Sequence, residues 1–306
     1  MISHVFSRIL QTIPAVFAIT LIAFLAFYLD PADPVAALAR EGTTLEYVEA
    51  LRAKLGLNKP AHVQYLLFVK NLLQGDLGTS YSSGGPVIER IIPAVRATIH
   101  FSAVAFVLIV LIGLPAGLLA AARPYSLADN SLSMIVLIGV SAPEFWIGIL
   151  LMYVFAYTLQ ILPSSGSFTW SSVILPALTL AMYYGAVVAR ITRTSLLEVM
   201  GEDYIRTARA KGLPEWVVFN KHALRNASLP IITMLGLQVA HMIGGTIIVE
   251  NVFAWPGIGR LLVTAISDRD APMVQGCIIV ISILVVAITL VTDLLYAWLN
   301  PRVRIG

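Results

Sequence analysis

The chain has 306 residues, of which 58% are hydrophobic and 12% are charged, and its formal net charge is +3. A soluble domain carries about 25% charged residues, so this composition excludes an ordinary soluble protein and predicts an integral membrane protein. The basic residues do not gather in one patch, which argues against a nucleic-acid partner, and the one cysteine excludes an internal disulfide.

Apolar stretches that are long enough to cross a bilayer recur along the chain, since a helix needs about 20 apolar residues for this. The first is too long for a secretory signal segment and is predicted to remain as the transmembrane helix 1–29. The third contains Pro143, where we expect a tilt or kink. The sequence predicts an all-α, polytopic transmembrane bundle of about six spans, at 9–29, 97–122, 132–162, 173–197, 229–252 and 274–299.

Residues 30–96 are polar and mixed, and they are predicted to form an extracytoplasmic insert with helical pieces at 44–55 and 61–73. The core transmembrane domain is predicted to occupy residues 97–306.

The distribution of lysine and arginine predicts the orientation of the bundle. If the N-terminus is inside, eleven of these residues fall in inner segments, and only Arg260 and Arg269 fall in the outer loop 253–273. The long insert contains seven basic and seven acidic residues. Charges in long loops have little influence on the orientation of a membrane protein. Both termini are therefore predicted to be cytoplasmic.

A short polar stretch after the fourth apolar segment is predicted to form its own helix, near 203–211. Asp203 suits a helix start and Arg209 suits a helix end. Gly212 can adopt the left-handed conformation that terminates a helix, and Pro214 can open the next one. A helix this short is unstable alone in water and needs tertiary support or a partner.

The chain lacks the common signatures of soluble active sites. It has no phosphate-binding glycine loop followed by Lys-Ser/Thr, no Cys/His cluster at metal-ligand spacing and no dinucleotide-binding glycine pattern. We therefore expect a transport or anchoring subunit that is not an enzyme and holds no metal or cofactor.

Several motifs, taken together, resemble the permease subunits of binding-protein-dependent ABC importers, in the dipeptide/oligopeptide/nickel subfamily. The resemblance covers essentially the whole chain in order. The motifs are Gly56-Leu57-Asn58-x-Pro60, Gly75-Asp76-Leu77-Gly78, Glu202-Asp203-Tyr204-x-Arg206-Thr207-Ala208-Arg209-Ala210-Lys211-Gly212, His222-Ala223-Leu224-Arg225-Asn226 and Glu250-Asn251-Val252-Phe253-x-Trp255-Pro256-Gly257.

The resemblance implies that residues 198–226 form a cytoplasmic coupling loop, whose short helix docks on a separate ATPase subunit. Small residues at Ala208 and Gly212 would keep the helix thin, and Tyr204 and Ile205 would anchor it in the partner. Without the resemblance, the spacing of these residues is also compatible with a solvated cytoplasmic loop that binds no partner. The implied coupling residues are Glu202, Asp203, Tyr204, Ile205, Arg206, Ala208, Arg209, Lys211 and Gly212.

The same resemblance implies the partners: a second homologous permease, two cytoplasmic ATPase subunits that hold ATP and Mg, and an extracytoplasmic solute-binding protein. The assembly would lie in the bacterial cytoplasmic (inner) membrane, in contact with lipid. The expected cargo is a short peptide, with nickel or a nickel chelate as the alternative. An ion-coupled carrier and a membrane-embedded enzyme are less favoured.

Ionisable residues within predicted spans are costly and are candidates for a function. Glu144 and His241 are candidates to line a polar pathway, whereas Glu250 and Asp293 are favoured as paired structural groups. In the outer loop, Trp255, Pro256 and Gly257 are predicted to form a tight interfacial turn, with Trp255 as a membrane anchor.

Overall fold

The computed structural model describes residues 14–25, 28, 49–50, 52–53, 58–167 and 169–299, with the backbone alone at 293 and 295–299. The described chain is helical apart from turns and one isolated bridge between Thr79 and Pro86, so the all-α prediction is confirmed. Its main helices are α1 (Pro14–Leu25), α2 (Ala61–Leu73), α3 (Val87–Ala122), α4 (Leu127–Ser141), α5 (Glu144–Thr158), α6 (Ile174–Met200), α7 (Asp203–Ala210), α8 (Glu215–Val252), α9 (Ile258–Ser267) and α10 (Ala271–Leu299).

Four of these helices, namely α3, α6, α8 and α10, are each long and apolar enough to cross a membrane. The pair α4 and α5 passes the same test together but is bent by 109°, far more than the predicted kink. Ala142 and Pro143 are both extended, with ψ of 135° and 138°. A proline disfavours the helical conformation of the residue before it, so two successive extended residues break the segment.

Two spanning helices begin earlier than the apolar stretches predicted. Helix α3 starts at Val87 instead of residue 97, and α8 starts at Glu215 instead of residue 229. Hydropathy finds only the part of a helix that is apolar, whereas charged residues continue the same helix beyond the hydrocarbon. The prediction for 61–73 is confirmed by α2, and most of the piece predicted at 44–55 lies outside the described residues.

The chain divides into two compact units, the first of which comprises residues 97–256 and 287–299. Helix α6 forms its centre, because 67% of its most apolar window is buried, against 28% for α3 and for α8. Gly113 and Gly117 let the α3 backbone approach α6 closely, since a Cβ at Gly117 would lie 2.5 Å from the Ala189 carbonyl oxygen. Small residues are the usual means of such close approach in membranes.

The second unit comprises the described residues up to 96 together with 257–286. In it, α1 packs on α2 through Phe24 and Tyr65, whose ring centroids are 5.4 Å apart. The start of α3, α9 and the start of α10 share an apolar cluster that includes Val87, Ile258 and Met273. The predicted division into 1–29, 30–96 and 97–306 stays a prediction.

A buried carboxylate, Asp270, ties the loop before α3 to the start of α10. It accepts hydrogen bonds from the Ser80 hydroxyl, the Tyr81 amide at 3.0 Å and the Ser82 hydroxyl at 2.8 Å. Burial alone would raise the pKa of Asp270, but these hydrogen bonds hold it below its usual value.

We expect Asp270→Asn to lower the melting temperature of the purified chain, with a loss of about 2 kcal/mol, because buried donors lose a charged acceptor. Since the folded pKa is lowered, the contribution of Asp270 is present above the unfolded pKa of about 3.9 and is lost as the pH falls through the folded pKa. The exposed neighbour Asp268 provides the control, and an equal loss in Asp268→Asn would contradict this role.

Candidate functional site

The predicted short helix is present as α7, and its ends follow the predicted chemistry. Glu202 is the N-cap residue, Asp203 lies in the first turn and Arg209 lies in the last turn. Gly212 has a φ of +78°, in the left-handed region that a side chain would disfavour. Pro214 is the N-cap of α8 rather than its first residue.

Helix α7 is attached to the bundle by two of its own side chains. Ile205 is 0% exposed and Ala208 is 6% exposed. They share an apolar cluster with Leu196 of α6, Val218 of α8 and Ala121 of α3. The prediction that Ile205 anchors α7 in a partner protein is therefore wrong. Ile205 and Ala208 are three residues apart and share one face of the helix, and this face is packed on the chain itself.

The other side chains of α7 are exposed, and most of them are polar. Tyr204 is 41% exposed, and its hydroxyl accepts a hydrogen bond of 2.9 Å from the side-chain amide of Asn226. Arg206 and Lys211 are exposed too. These exposed residues, rather than Ile205 and Ala208, form the surface of α7 that a partner could reach.

Two arginines on α7 already have carboxylate partners. Arg209 donates two hydrogen bonds to Glu215, at 2.7 and 3.3 Å, and Arg206 lies 3.2 Å from Asp203. Exposed ion pairs contribute about 0.2–1 kcal/mol, so these pairs orient the arginines but can be exchanged for a partner's acids.

The intramembrane candidate Glu144 lies in the first turn of α5, directly after the bend. Its carboxylate packs over Gly245 of α8: a Cβ there would lie 2.8 Å from Glu144 Oε2 and 2.6 Å from the Tyr184 hydroxyl. Glu144 Oε2 is buried and has no hydrogen-bond partner among the described residues. The Tyr184 hydroxyl donates to the His241 carbonyl oxygen at 3.3 Å.

The structure thus gathers Glu144, Tyr184 and the α8 backbone from His241 to Gly245. Tyr184 was not among the predicted site residues, although a tyrosine in the middle of an apolar span indicates a buried polar group. The His241 side chain is exposed, on the same helical stripe of α8 as Leu237 and Gly244.

The other two intramembrane acids differ from Glu144. Glu250 is fully buried and accepts a 2.5 Å hydrogen bond from the Thr98 hydroxyl, which fits the structural role favoured for it. The side chain of Asp293 lies outside the described residues. Among those residues, no group of three or more His, Cys, Asp or Glu could hold a metal ion.

The prediction of Trp255 as an interfacial anchor is wrong. Trp255 is 4% exposed and belongs to the main core cluster. Its indole nitrogen donates to the Ala97 carbonyl oxygen at 3.0 Å, and its ring lies 6.0 Å from that of Phe101. A buried tryptophan with a satisfied N–H is a core residue. Pro256 is exposed, and Gly257 is the N-cap of α9.

A bundle of apolar spanning helices, with a polar helix fastened to one end, defines a polytopic membrane subunit. The chain belongs to the family described as binding-protein-dependent transport system inner membrane component, whose model matches residues 113–305. The model of the N-terminal part of such components matches residues 1–102. The family consists of transport subunits rather than enzymes.

The chain is 41% identical over 305 residues to the glutathione transport system permease protein GsiC of Escherichia coli (strain K12), and 99% of each chain is covered. The protein of the same name from Salmonella paratyphi A gives the same values. The chain is therefore an inner-membrane permease of an ABC importer and a multi-pass membrane protein. An importer of this kind generally includes a partner permease, an ATPase and a binding protein.

Solved structures give the same fold at low sequence identity. An inward-facing conformation of the MetNI methionine ABC transporter matches with a TM-score of 0.59 and 20% identity, over 70% of this chain and 97% of that one. An amino acid ABC transporter with histidines matches with a TM-score of 0.54 and 17% identity, over 70% and 94%. These matches concern the fold alone.

We expect Gly245→Ala to destabilise the purified chain by about 1–3 kcal/mol, because the new methyl group would clash with the Glu144 carboxylate and the Tyr184 hydroxyl. Thermal unfolding in detergent measures the loss. The neighbouring Gly244 is a matched control, since a Cβ there meets no atom within 4 Å, and Gly244→Ala should be neutral or stabilising by about 1 kcal/mol. Equal behaviour of the two variants would refute the packing of Glu144 over Gly245.

Proposed function

We propose that this chain forms, with a second permease, the membrane pathway for short peptides that an extracytoplasmic binding protein delivers. The observation that carries the proposal is the 41% identity, over 99% of both chains, to a glutathione transport permease. Glutathione is a tripeptide, and a relative this similar over its full length supports a cargo of the same class.

We propose that α7 is the coupling helix, with its exposed Tyr204 side facing a cytoplasmic ATPase and both chain termini in the cytoplasm. Its packing supports this role. Ile205 and Ala208 join α7 to the ends of α3, α6 and α8, so a force on α7 reaches three long helices together. Closure of two ATPases would then move these helices as a body, which is alternating access by rigid-body motion.

We further propose that Glu144 and His241 line the pathway. Glu144 lies at the break between α4 and α5, and one of its oxygens has no partner among the described residues. A peptide carries an ammonium group at its N-terminus, and a carboxylate in a medium of low dielectric attracts such a cation. This arrangement supports an interaction between Glu144 and the peptide amino group.

We expect Arg206→Glu to reduce cargo-stimulated ATP hydrolysis by the reconstituted complex about tenfold, because reversing a charge at a docking surface costs about 1.4 kcal/mol or more. The chain itself should remain folded, since Arg206 is exposed. Arg123→Glu is the control, because Arg123 is an exposed arginine outside α7. Normal stimulation in Arg206→Glu, with correct assembly, would rule out docking through this side of α7.

We expect Glu144→Gln to reduce uptake of a labelled tripeptide by vesicles carrying the complete importer about tenfold, because the charge that attracts the ammonium group is removed while the shape is kept. The N-acetylated tripeptide should lose little by comparison. Glu198→Gln, at an exposed position of α6, serves as the control. Equal effects on both peptides would contradict recognition of the amino group.

A further inference from the structure

A cavity of about 320 Å³ lies between α3, α4 and α6, apart from the Glu144 cluster. Its walls are mainly apolar and include Ala116, Leu132 and Val136, but two arginines, Arg190 and Arg193, also line it. Arginine within a spanning helix is costly unless it is paired. The cavity therefore combines apolar walls, which favour contact with hydrocarbon chains, with two arginines, which favour an anionic partner.

Only one of the two arginines has its anion within the described chain. Arg193 donates to both oxygens of Asp129, at 2.5 and 2.8 Å, and Asp129 is 1% exposed. Asp129 is held in turn by the Tyr125 amide at 2.8 Å. Arg190 is exposed and makes no ion pair or hydrogen bond with the described residues. Arg190, Arg193 and Asp129 together therefore carry a net charge of +1.

The cavity lies closer to the C-terminal ends of α3 and α6 than to their starts, and we infer that it is near the boundary between acyl chains and head groups. Ala120 lines it two residues before the end of α3, and Arg190 lies ten residues, or about 15 Å, before the end of α6 at Met200. An arginine side chain reaches several ångströms along its helix towards the polar end. The same end of α6 leads into the polar helix α7.

We propose that this cavity holds an anionic phospholipid, with its phosphate on the Arg190 guanidinium and its first methylene groups against Leu132 and Val136. A guanidinium binds a phosphate through two parallel hydrogen bonds. Basic pockets between spanning helices are suited to acidic head groups. The proposed function enters only in assigning the cavity to the cytoplasmic leaflet, and binding itself requires neither ATPase nor cargo.

Native mass spectrometry of the purified full chain tests this directly. Phosphatidylglycerol and phosphatidylcholine with identical acyl chains are titrated separately. The wild type is expected to bind phosphatidylglycerol roughly tenfold more tightly, and Arg190→Gln is expected to reduce that preference to about twofold or less. Arg123→Gln, which removes an exposed arginine outside the cavity, should keep the wild-type preference.

A second variant, Val136→Trp, tests whether lipid chains occupy the apolar part of the cavity. The tryptophan fills the cavity and leaves both arginines in place. It should weaken phosphatidylglycerol binding about tenfold. If Arg190→Gln does not fold, Arg190→Lys, which keeps the charge but loses the paired geometry, should bind about threefold more weakly.

Other outcomes overturn the proposal. They are equal binding of both lipids by the wild type, equal losses in Arg190→Gln and Arg123→Gln, unchanged binding by Val136→Trp, and displacement by inorganic phosphate or a tripeptide at the lipid's concentration. Phosphate displacement would indicate a free-anion site, and tripeptide displacement a part of the cargo pathway. Because the assay contains no ATPase, binding protein or transport step, its result is independent of whether the transport proposal holds.

Discussion

The burial of Ile205 and Ala208 is the contact on which the functional arrangement of this chain depends. Without it α7, at eight residues, would be too short to persist in water. With it, the polar side of α7 has a fixed orientation, because the two apolar side chains are packed among α3, α6 and α8. The small side chain of Ala208 lets α7 pack closely against these helices. The sequence suggested that a small residue here would let a partner protein approach, but it serves the packing of the chain itself.

The sequence predicted the membrane bundle and the ends of α7 because both depend on local chemistry: apolar length for a span, and acids, arginine and glycine for helix ends. It could not predict which face of α7 is buried, since that depends on where α6 and α8 end in space. The 109° bend was underestimated, because Pro143 accounts for the extended Ala142 before it but does not predict that Pro143 is itself extended.

The buried polar side chains of the bundle differ in how many of their hydrogen bonds are made. The sequence identified these side chains but could not predict their hydrogen-bond partners. Glu250 accepts from Thr98, far away in sequence, so no local pattern could assign its partner. Trp255 resembles an interfacial residue in sequence, yet Ala97 provides its acceptor within the core. Glu144 differs from both, because its Oε2 is buried and has no hydrogen-bond partner among the described residues.

Helix α6 is the most buried of the four long spanning helices but is less apolar than α3 and α10. This combination affects biosynthesis. As α6 leaves the ribosome, lipid alone is a poor environment for a segment carrying Arg190 and Arg193. Asp129, 64 residues earlier, has by then been synthesised and can neutralise Arg193 as it enters. The counter-ion of Arg193 is thus synthesised before the helix that requires it.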